Sequence, residues 1–372
     1  MRKSELGASG IQVSGLALGT WAYSGANVWG ASDDRAAIDT IHCALDHGVN
    51  LIDTAERYGN GRSEEIVGQA LEGRRDQAVV ATKVYTGNLH YDDVIAHCEA
   101  SLKRLRTDYI DLYQIHWPNP DIPIEETFAA FEDLKKAGKI RMASMCNAGV
   151  GCIASLAGQE VAMNQLPYSL IWRVAEKQII PASEQAGIPV CAYSPLAQGL
   201  LTGKFRRIED VPVGRRETRF YKSTWTPCRH TEDGFEDEIF AFIDVLMDFC
   251  GRNGLAPAEV AMSFLKRRPC VKTVLAGARS VKQLEQNIAA YEKEIPDGLM
   301  DEIEAALDDA NVTRYARYMR TLAGKTQFIV ITHRRGTMEE ADVLYGVTMQ
   351  EQGVSKILTI NLNDMAKELN IK

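Results

Sequence analysis

The sequence predicts an α/β chain folded as a (β/α)8 barrel, the TIM-barrel architecture, with a short α/β fragment appended at its C-terminus. Three observations lead there. Eight short runs of β-branched and large apolar residues alternate with amphipathic helical stretches. Each of the first six strand-to-strand steps covers roughly 20–33 residues, enough for a helical crossover between parallel strands. Eight parallel strands close such a barrel. The chain has 372 residues, whereas a barrel typically needs about 250, so a surplus remains to be explained.

The expected strands are Leu16–Gly19, Val49–Asp53, Ala78–Lys83, Ile110–His116, Ile140–Met145, Val161–Gln165, Ile188–Ser194 and Thr273–Ala276. Ser32 and Asp33 can cap the first helix, which carries Ile38, Ile41 and Leu45 on one face and ends at Gly48. Ser63 can cap the second, with Ile66, Val67, Ala70 and Leu71 inward and Gly73 after it. Pro123 precedes another, with Phe128, Phe131 and Leu134 inward and Gly138 closing it. An open doubly wound sheet competes, but its fingerprint has one weak match, Gly149, Gly151 and Ala154. The strand after that match ends in Asn164-Gln165, without the acidic residue that would hold a ribose. Between the seventh and eighth strands, Gly199 to Gly234 is long and aperiodic, as a lid or binding loop would be, before a helix from about Glu236 to Cys250.

Composition narrows the function. A net charge of −8 disfavours a surface built for nucleic acid or anionic lipid. No apolar run approaches the ~20 residues of a membrane span, and Met1 to Gly10 does not read as a signal peptide. The expectation is a cytoplasmic protein. Its eight cysteines are scattered singly, without C-x-x-C, as small core residues rather than disulfide partners or zinc ligands. No metal site is expected.

Barrel enzymes do their chemistry where the strands end, because those ends share one mouth. Here Asp53, Lys83 and His116 stand at the ends of strands two, three and four, and Tyr58 lies five residues beyond Asp53. Singly, each could be structural. Together they have a chemical logic. A phenol with a pKa of about 10 donates a proton poorly unless its anion is stabilised. Lys83 beside Tyr58 would lower that value, and Asp53 would orient the ammonium. His116 could hold a substrate carbonyl oxygen. No nucleophile with a partner base and no carboxylate pair accompanies them. Protonating an oxygen while a cofactor delivers the electrons is reductase chemistry.

Several stretches carry a family resemblance: Gly19-Thr20-Trp21, Asn50 to Gly59, Ile110 to Trp117, Tyr193-Ser194-Pro195-Leu196 and Gly199 to Lys204. Residues 1 to about 300 resemble the aldo-keto reductase family, in the bacterial branch with the Tyr58 to Glu65 loop. That resemblance implies a (β/α)8 barrel and a catalytic tetrad of Asp53, Tyr58, Lys83 and His116. It implies NADPH, with NADH as the alternative, and a small-molecule carbonyl substrate. Gly19, Thr20, Trp21 and Asp53 would line the cofactor. Asn147 and Gln165 would bind the nicotinamide carboxamide, Tyr193 would stack on its ring, and Ser194 to Lys204 would wrap the pyrophosphate, through Ser194, Pro195, Leu196, Gly199, Leu201 and Lys204. Gly277, Arg279, Gln283, Gln286 and Asn287 would meet the adenosine end. The family usually has Ser before the carboxamide-binding Asn, and here Cys146 stands there. Substrate would enter past Trp21, Trp29, Trp117 and Phe220. Channel-associated relatives share barrel and tetrad, so a cofactor-sensing protein is the alternative reading.

The surplus has a second resemblance. Asp301 to Val312, Thr326 to Glu339 and Val343 to Met349 are similar to the C-terminal head of structural-maintenance-of-chromosomes ATPases. That family would give Asp301 to Mg²⁺, Glu302 to the attacking water and His333 to the γ-phosphate, and it adds a third reading, a head fragment in chromosome partitioning. The sequence has no G-x-x-x-x-G-K-[ST] to receive the nucleotide, since Gly203-Lys204 lacks both the first Gly and the Ser/Thr. The segment before Asp301 suits a reductase's last helix instead, with Leu299, Ile303, Ala306 and Leu307 on one face. The expected domains are a reductase barrel over 1–310 and a non-functional head fragment over 311–372, with Phe328–Thr332 as its remnant strand.

Overall fold

A computed structural model describes the chain except residues 26–28, 225–229, 232, 308–337, 339–340, 352–353 and 362–372. The chain divides into two compact units, Met1–Met300 and Asp301–Lys372. The first opens with an antiparallel pair, β1 (Lys3–Glu5) and β2 (Gln12–Ser14). Eight parallel strands follow: β3 (Leu16–Gly19), β4 (Leu51–Asp53), β5 (Val79–Val84), β6 (Ile110–Ile115), β7 (Ile140–Cys146), β8 (Asn164–Pro167), β9 (Val190–Tyr193) and β10 (Val271–Gly277). They form a closed barrel in chain order, β10 pairing with β3. All eight expected strands are present, with ends displaced by up to three residues. The N-terminal hairpin was not anticipated: its strands are three residues each and lack a clear apolar alternation.

Strand alternation builds the interior in layers. Ala17, Leu51, Ala81, Leu112, Met142, Met163, Cys191 and Leu275 belong to one buried cluster, which Leu6, Ile11 and Val13 of the hairpin region join. Two residues further along each strand, the same inward face carries Gly19, Asp53, Lys83, Gln114, Ser144, Gln165, Tyr193 and Gly277. An apolar layer thus lies directly beneath a polar one, and the polar layer is the rim.

The outer helices are α1 (Asp34–Asp46), α2 (Arg62–Ala70), α3 (Tyr91–Leu105), α4 (Ile124–Lys136), α5 (Val150–Ser155), α6 (Ile179–Gln185), α7 (Glu236–Asn253), α8 (Pro257–Lys266) and α9 (Val281–Glu292). Asp33 caps α1, its carboxylate accepting from the N–H groups of Arg35 and Ala36. Ser63 does not cap α2. Gly61 occupies that position at φ 94°, and Ser63 is the second residue of the helix, buried, with its hydroxyl shared by Thr20 and Thr54. The aperiodic stretch after β9 is wound into short 3₁₀ turns at Ala197–Thr202, Ile208–Asp210 and Val213–Arg215. Of the cysteines, Cys98, Cys146, Cys191 and Cys250 are buried and Cys43, Cys152 and Cys270 half-buried, all as free thiols; Cys228 lies outside the described residues. No described helix is long and apolar enough to cross a membrane.

Residues 297–307 are helical, with Met300, Ile303 and Leu307 buried. In the second unit β11 (Val343–Glu351) and β12 (Val354–Asn361) pair antiparallel. Phe328–Thr332 and His333 lie outside the described residues.

One glycine shows how closely the helices pack. A Cβ at Gly68 of α2 would stand 2.7 Å from the Arg104 carbonyl oxygen and 2.7 Å from the Leu105 carbonyl carbon. Alanine would favour an isolated helix by about 1 kcal/mol over glycine. Forcing α2 from α3 costs about 1–3 kcal/mol, and the backbone atoms it meets cannot rotate away. Gly68→Ala should therefore lower the unfolding midpoint in urea; a raised midpoint would show that α2 and α3 part freely.

Candidate active site

The rim layer holds one buried ion pair. Lys83 at the end of β5 is fully buried, and its Nζ donates to Asp53 Oδ1 at 2.7 Å and to the Thr54 carbonyl at 2.8 Å. The other carboxylate oxygen, Oδ2, accepts from Gln165 Nε2 at 2.8 Å and Gln114 Nε2 at 3.2 Å. Burial pulls the pKa of Lys83 down. The attraction of Asp53, then of Tyr58, outweighs it and holds the ammonium well above its ordinary range.

Tyr58 reaches this pair from the loop after β4. Its hydroxyl lies 3.4 Å from Lys83 Nζ, and its ring stands edge-on to His116 at 5.8 Å between centroids. Two glycines hold the loop in place. Gly59 has φ 65°, and a Cβ there would come within 2.7 Å of the Ser24 carbonyl oxygen. Gly61, at φ 94°, then turns the chain into α2. Asp53, Tyr58, Lys83 and His116 are thus gathered at one side of the rim.

The electrostatics differ from the sequence expectation at Tyr58. Lys83 does pull the phenol's pKa down, but burial pushes harder the other way and Asp53 adds to it, so the value rises to about 12. Sequence alone gives the neighbours but not the burial. The phenol is a reservoir that keeps its proton. His116 moves oppositely: burial, then the charges of Lys83 and Arg57, push it down to about 3. Its ring is neutral, and its buried Nδ1 has no hydrogen-bond partner among the described residues.

The neighbouring strand ends carry amides. Asn147, in left-handed backbone (φ 60°) after β7, donates from Nδ2 to the His116 carbonyl at 3.1 Å and to Cys146 Sγ at 3.1 Å. Its Oδ1 accepts from Tyr193 Oη at 2.9 Å. Cys146 Sγ in turn donates to Gln165 Oε1 at 3.4 Å. Gly19 and Gly277 sit side by side in the β3–β10 register, leaving the rim there without side chains. Trp21 lies 6.3 Å from the Tyr58 ring and 5.3 Å from Trp29.

A dinucleotide cofactor fits these features. Amides and a free strip over two glycines suit a planar carboxamide-bearing ring. Further out, Lys204, Arg215 and Arg279 come from three segments, and none of them pairs with a carboxylate among the described residues. Burial, then the Arg215 charge, pushes the Lys204 pKa down; burial, then Arg279, does the same to Arg215. Arg215 Nε is buried without a hydrogen-bond partner among the described residues, while the guanidinium lies over the Trp29 ring at 4.6 Å. Clustered cations with no carboxylate partner among the described residues are what a phosphate would relieve.

Other expected residues sit differently. Thr20 is fully buried, its hydroxyl donating to the Asp53 carbonyl, and Leu201 is fully buried. Ser194 (φ 56°) turns the chain at the end of β9, Pro195 is buried, and Leu196 and Gly199 are joined by a backbone hydrogen bond, Gly199 donating. Arg279 donates to the carbonyls of Trp29 and Ala31, its N–H bonds Gln283 Oε1, and Asn287 donates to the Gly277 carbonyl. Gln286 is exposed. Phe220 is buried against Trp172 at 5.0 Å and packs rather than lining an entrance, whereas Trp117 is half exposed. Gln114 and Arg215 were missed. Gln114 had a signal: a lone amide two residues before His116 in an apolar strand faces the same way.

A phenol, an ammonium–carboxylate pair and an imidazole on the rim of a parallel barrel define a site for proton transfer to a bound oxygen. Comparison with known proteins places it. Residues 15–308 match the aldo/keto reductase family, and the chain belongs to that family. It is 36% identical over 299 residues to aldo-keto reductase YhdN of Bacillus subtilis, covering 77% of this chain and 87% of that protein. It is 34% identical over 339 residues to the NADH-specific methylglyoxal reductase of Escherichia coli, covering 83% and 100%. A solved Klebsiella pneumoniae aldo/keto reductase in complex with NADP and acetate superposes with a TM-score of 0.65 at 28% identity, over 82% of this chain and 96% of that one. Residues 277–356 also match the RecF/RecN/SMC N-terminal domain.

The two displaced pKa values set a pH dependence. Tyr58 donates only while protonated, which holds below about 12, and His116 is neutral above about 3. Carbonyl reduction should therefore be level in kcat across roughly pH 5 to 10, where neither group titrates. A steep alkaline fall centred near pH 7 in a kcat profile would place the phenol's pKa far lower.

Proposed function

We propose that the protein reduces the carbonyl group of a small aldehyde or ketone, with Tyr58 as the proton donor. The observation that carries this is a protonated phenol beside a buried ammonium, next to a neutral imidazole, on the rim of the barrel. A reduced nicotinamide cofactor, when bound, supplies the hydride. Asn147, Gln165 and Tyr193 would hold its ring end, the Ser194 to Lys204 segment its pyrophosphate, and Arg279 with Gln283, Gln286 and Asn287 its adenosine end. The cation group Lys204, Arg215 and Arg279 favours NADPH over NADH; solved relatives bind NADP, while one curated relative is named NADH-specific.

His116 would donate a hydrogen bond to the substrate oxygen and hold it near the Tyr58 hydroxyl. As negative charge grows on that oxygen it becomes a far stronger base than a phenolate, so even a phenol with a raised pKa gives up its proton. Lys83 then stabilises the phenolate left behind, and Asp53 keeps Lys83 charged and aimed.

The C-terminal segment, about 311–372, we read as an appended fragment of ATPase ancestry without chemistry, in a protein that works in the cytoplasm. Asp301 and Glu302 lie inside a helical run rather than at a strand end, where a Mg²⁺-binding acidic pair would sit. ATP hydrolysis by the purified chain, abolished by Glu302→Gln, would contradict that.

Tyr58→Phe should lower turnover on a panel of small aldehydes by about 10²–10⁴-fold, while the Kd for NADPH stays within a few fold. Retained turnover would remove Tyr58 from its role.

A further inference from the structure

One hydrogen-bonded chain runs from the ion pair to the amides of the rim, and its direction is forced. Lys83 can only donate and ionised Asp53 can only accept. Gln165 must therefore turn its Nε2 to Asp53, because the opposite orientation would set two acceptors against each other. That choice points Gln165 Oε1 at Cys146, which must donate its S–H there. With its proton so committed, Sγ is left to accept, and Asn147 turns Nδ2 toward it. Asn147 Oδ1 then faces Tyr193, whose hydroxyl donates. The Cys146 thiol is buried, and burial pushes its pKa up to about 12, so the S–H proton the chain needs is in place. Each amide keeps one free carbonyl lone pair, while the Asn147 NH₂ already has two partners.

We propose that Cys146 is a positioning residue, passing the polarity of the Lys83–Asp53 pair to the amides of Gln165 and Asn147. It thereby fixes which way these amides face the cofactor. The inference rests on the reading that this rim binds a nicotinamide carboxamide. It gives the thiol a task that neither its size nor its burial accounts for: at this position a side chain must both donate and accept. Serine can do both, alanine neither.

The test is binding, measured on the full chain as the Kd for NADPH by quenching of tryptophan fluorescence, beside thermal melts of each variant. Cys146→Ala should weaken binding about 3- to 10-fold, the worth of one net hydrogen bond, and Cys146→Ser should restore it. The alanine loss should shrink for the 3-acetylpyridine analogue of NADP, in which a methyl group replaces the amide NH₂ that the freed lone pairs would read. Cys98→Ala, a buried thiol remote from the rim, should bind as the wild type does. Equal affinity of wild type and Cys146→Ala would overturn the proposal. So would a serine variant as weak as alanine, or an alanine loss identical for both cofactors, since either would mean that only the packing of sulfur matters. If the wild type bound no nicotinamide cofactor at all, the reading beneath the proposal would fall first, and the proposal with it.

Discussion

The Lys83–Asp53 pair is the interaction on which the rest of the site depends. Taking an ammonium and a carboxylate out of water costs several kcal/mol per ion, which attraction repays only with good geometry and further hydrogen bonds. Here both conditions are met, since Thr54, Gln114 and Gln165 complete the coordination of the two ions. Removing either partner would leave an unpaired buried charge, at about 3–5 kcal/mol. The pair is thus at once a constraint on the fold and the source of the site's electrostatics. It holds a positive charge beside Tyr58, helps keep His116 neutral, and orients the amides around it.

The barrel makes such a pair possible through strand alternation. Leu51 and Ala81 pack in the apolar layer, and Asp53 and Lys83 stand one step above them, in adjacent strands and close register. That geometry explains why much of the site was legible in the sequence. A polar residue ending an apolar strand of a barrel faces the mouth, and Asp53, Lys83 and His116 all do so. Tyr58 was legible because its loop is short and anchored to Asp53.

What stayed hidden depends on three-dimensional surroundings. The direction of the Tyr58 shift reverses because burial outweighs its cationic neighbour, and no spacing reports burial. Ser63 looks like a cap in the sequence, but Gly61 takes the turn and the serine hydroxyl is drawn inside by Thr20 and Thr54. Arg215 sits in an aperiodic stretch, where periodicity gives no hint of which way a side chain faces. The surplus length is of another kind: residues 277–356 also match a second family, and the two matches overlap over 277–308, a stretch that ends in the acidic helix around Asp301.

The most direct test of this account is the rate of a single turnover of NADPH oxidation, followed by stopped flow with a small aldehyde in the Lys83→Met variant. Methionine keeps most of the side chain's bulk but removes the charge beside Tyr58. The account predicts a fall of about 10²–10⁴-fold in that step, with the Kd for NADPH changed far less, because Asp53 still accepts from Gln165 and keeps the amides turned. A variant that binds the cofactor and turns over at the wild-type rate would show that proton delivery does not depend on the buried pair.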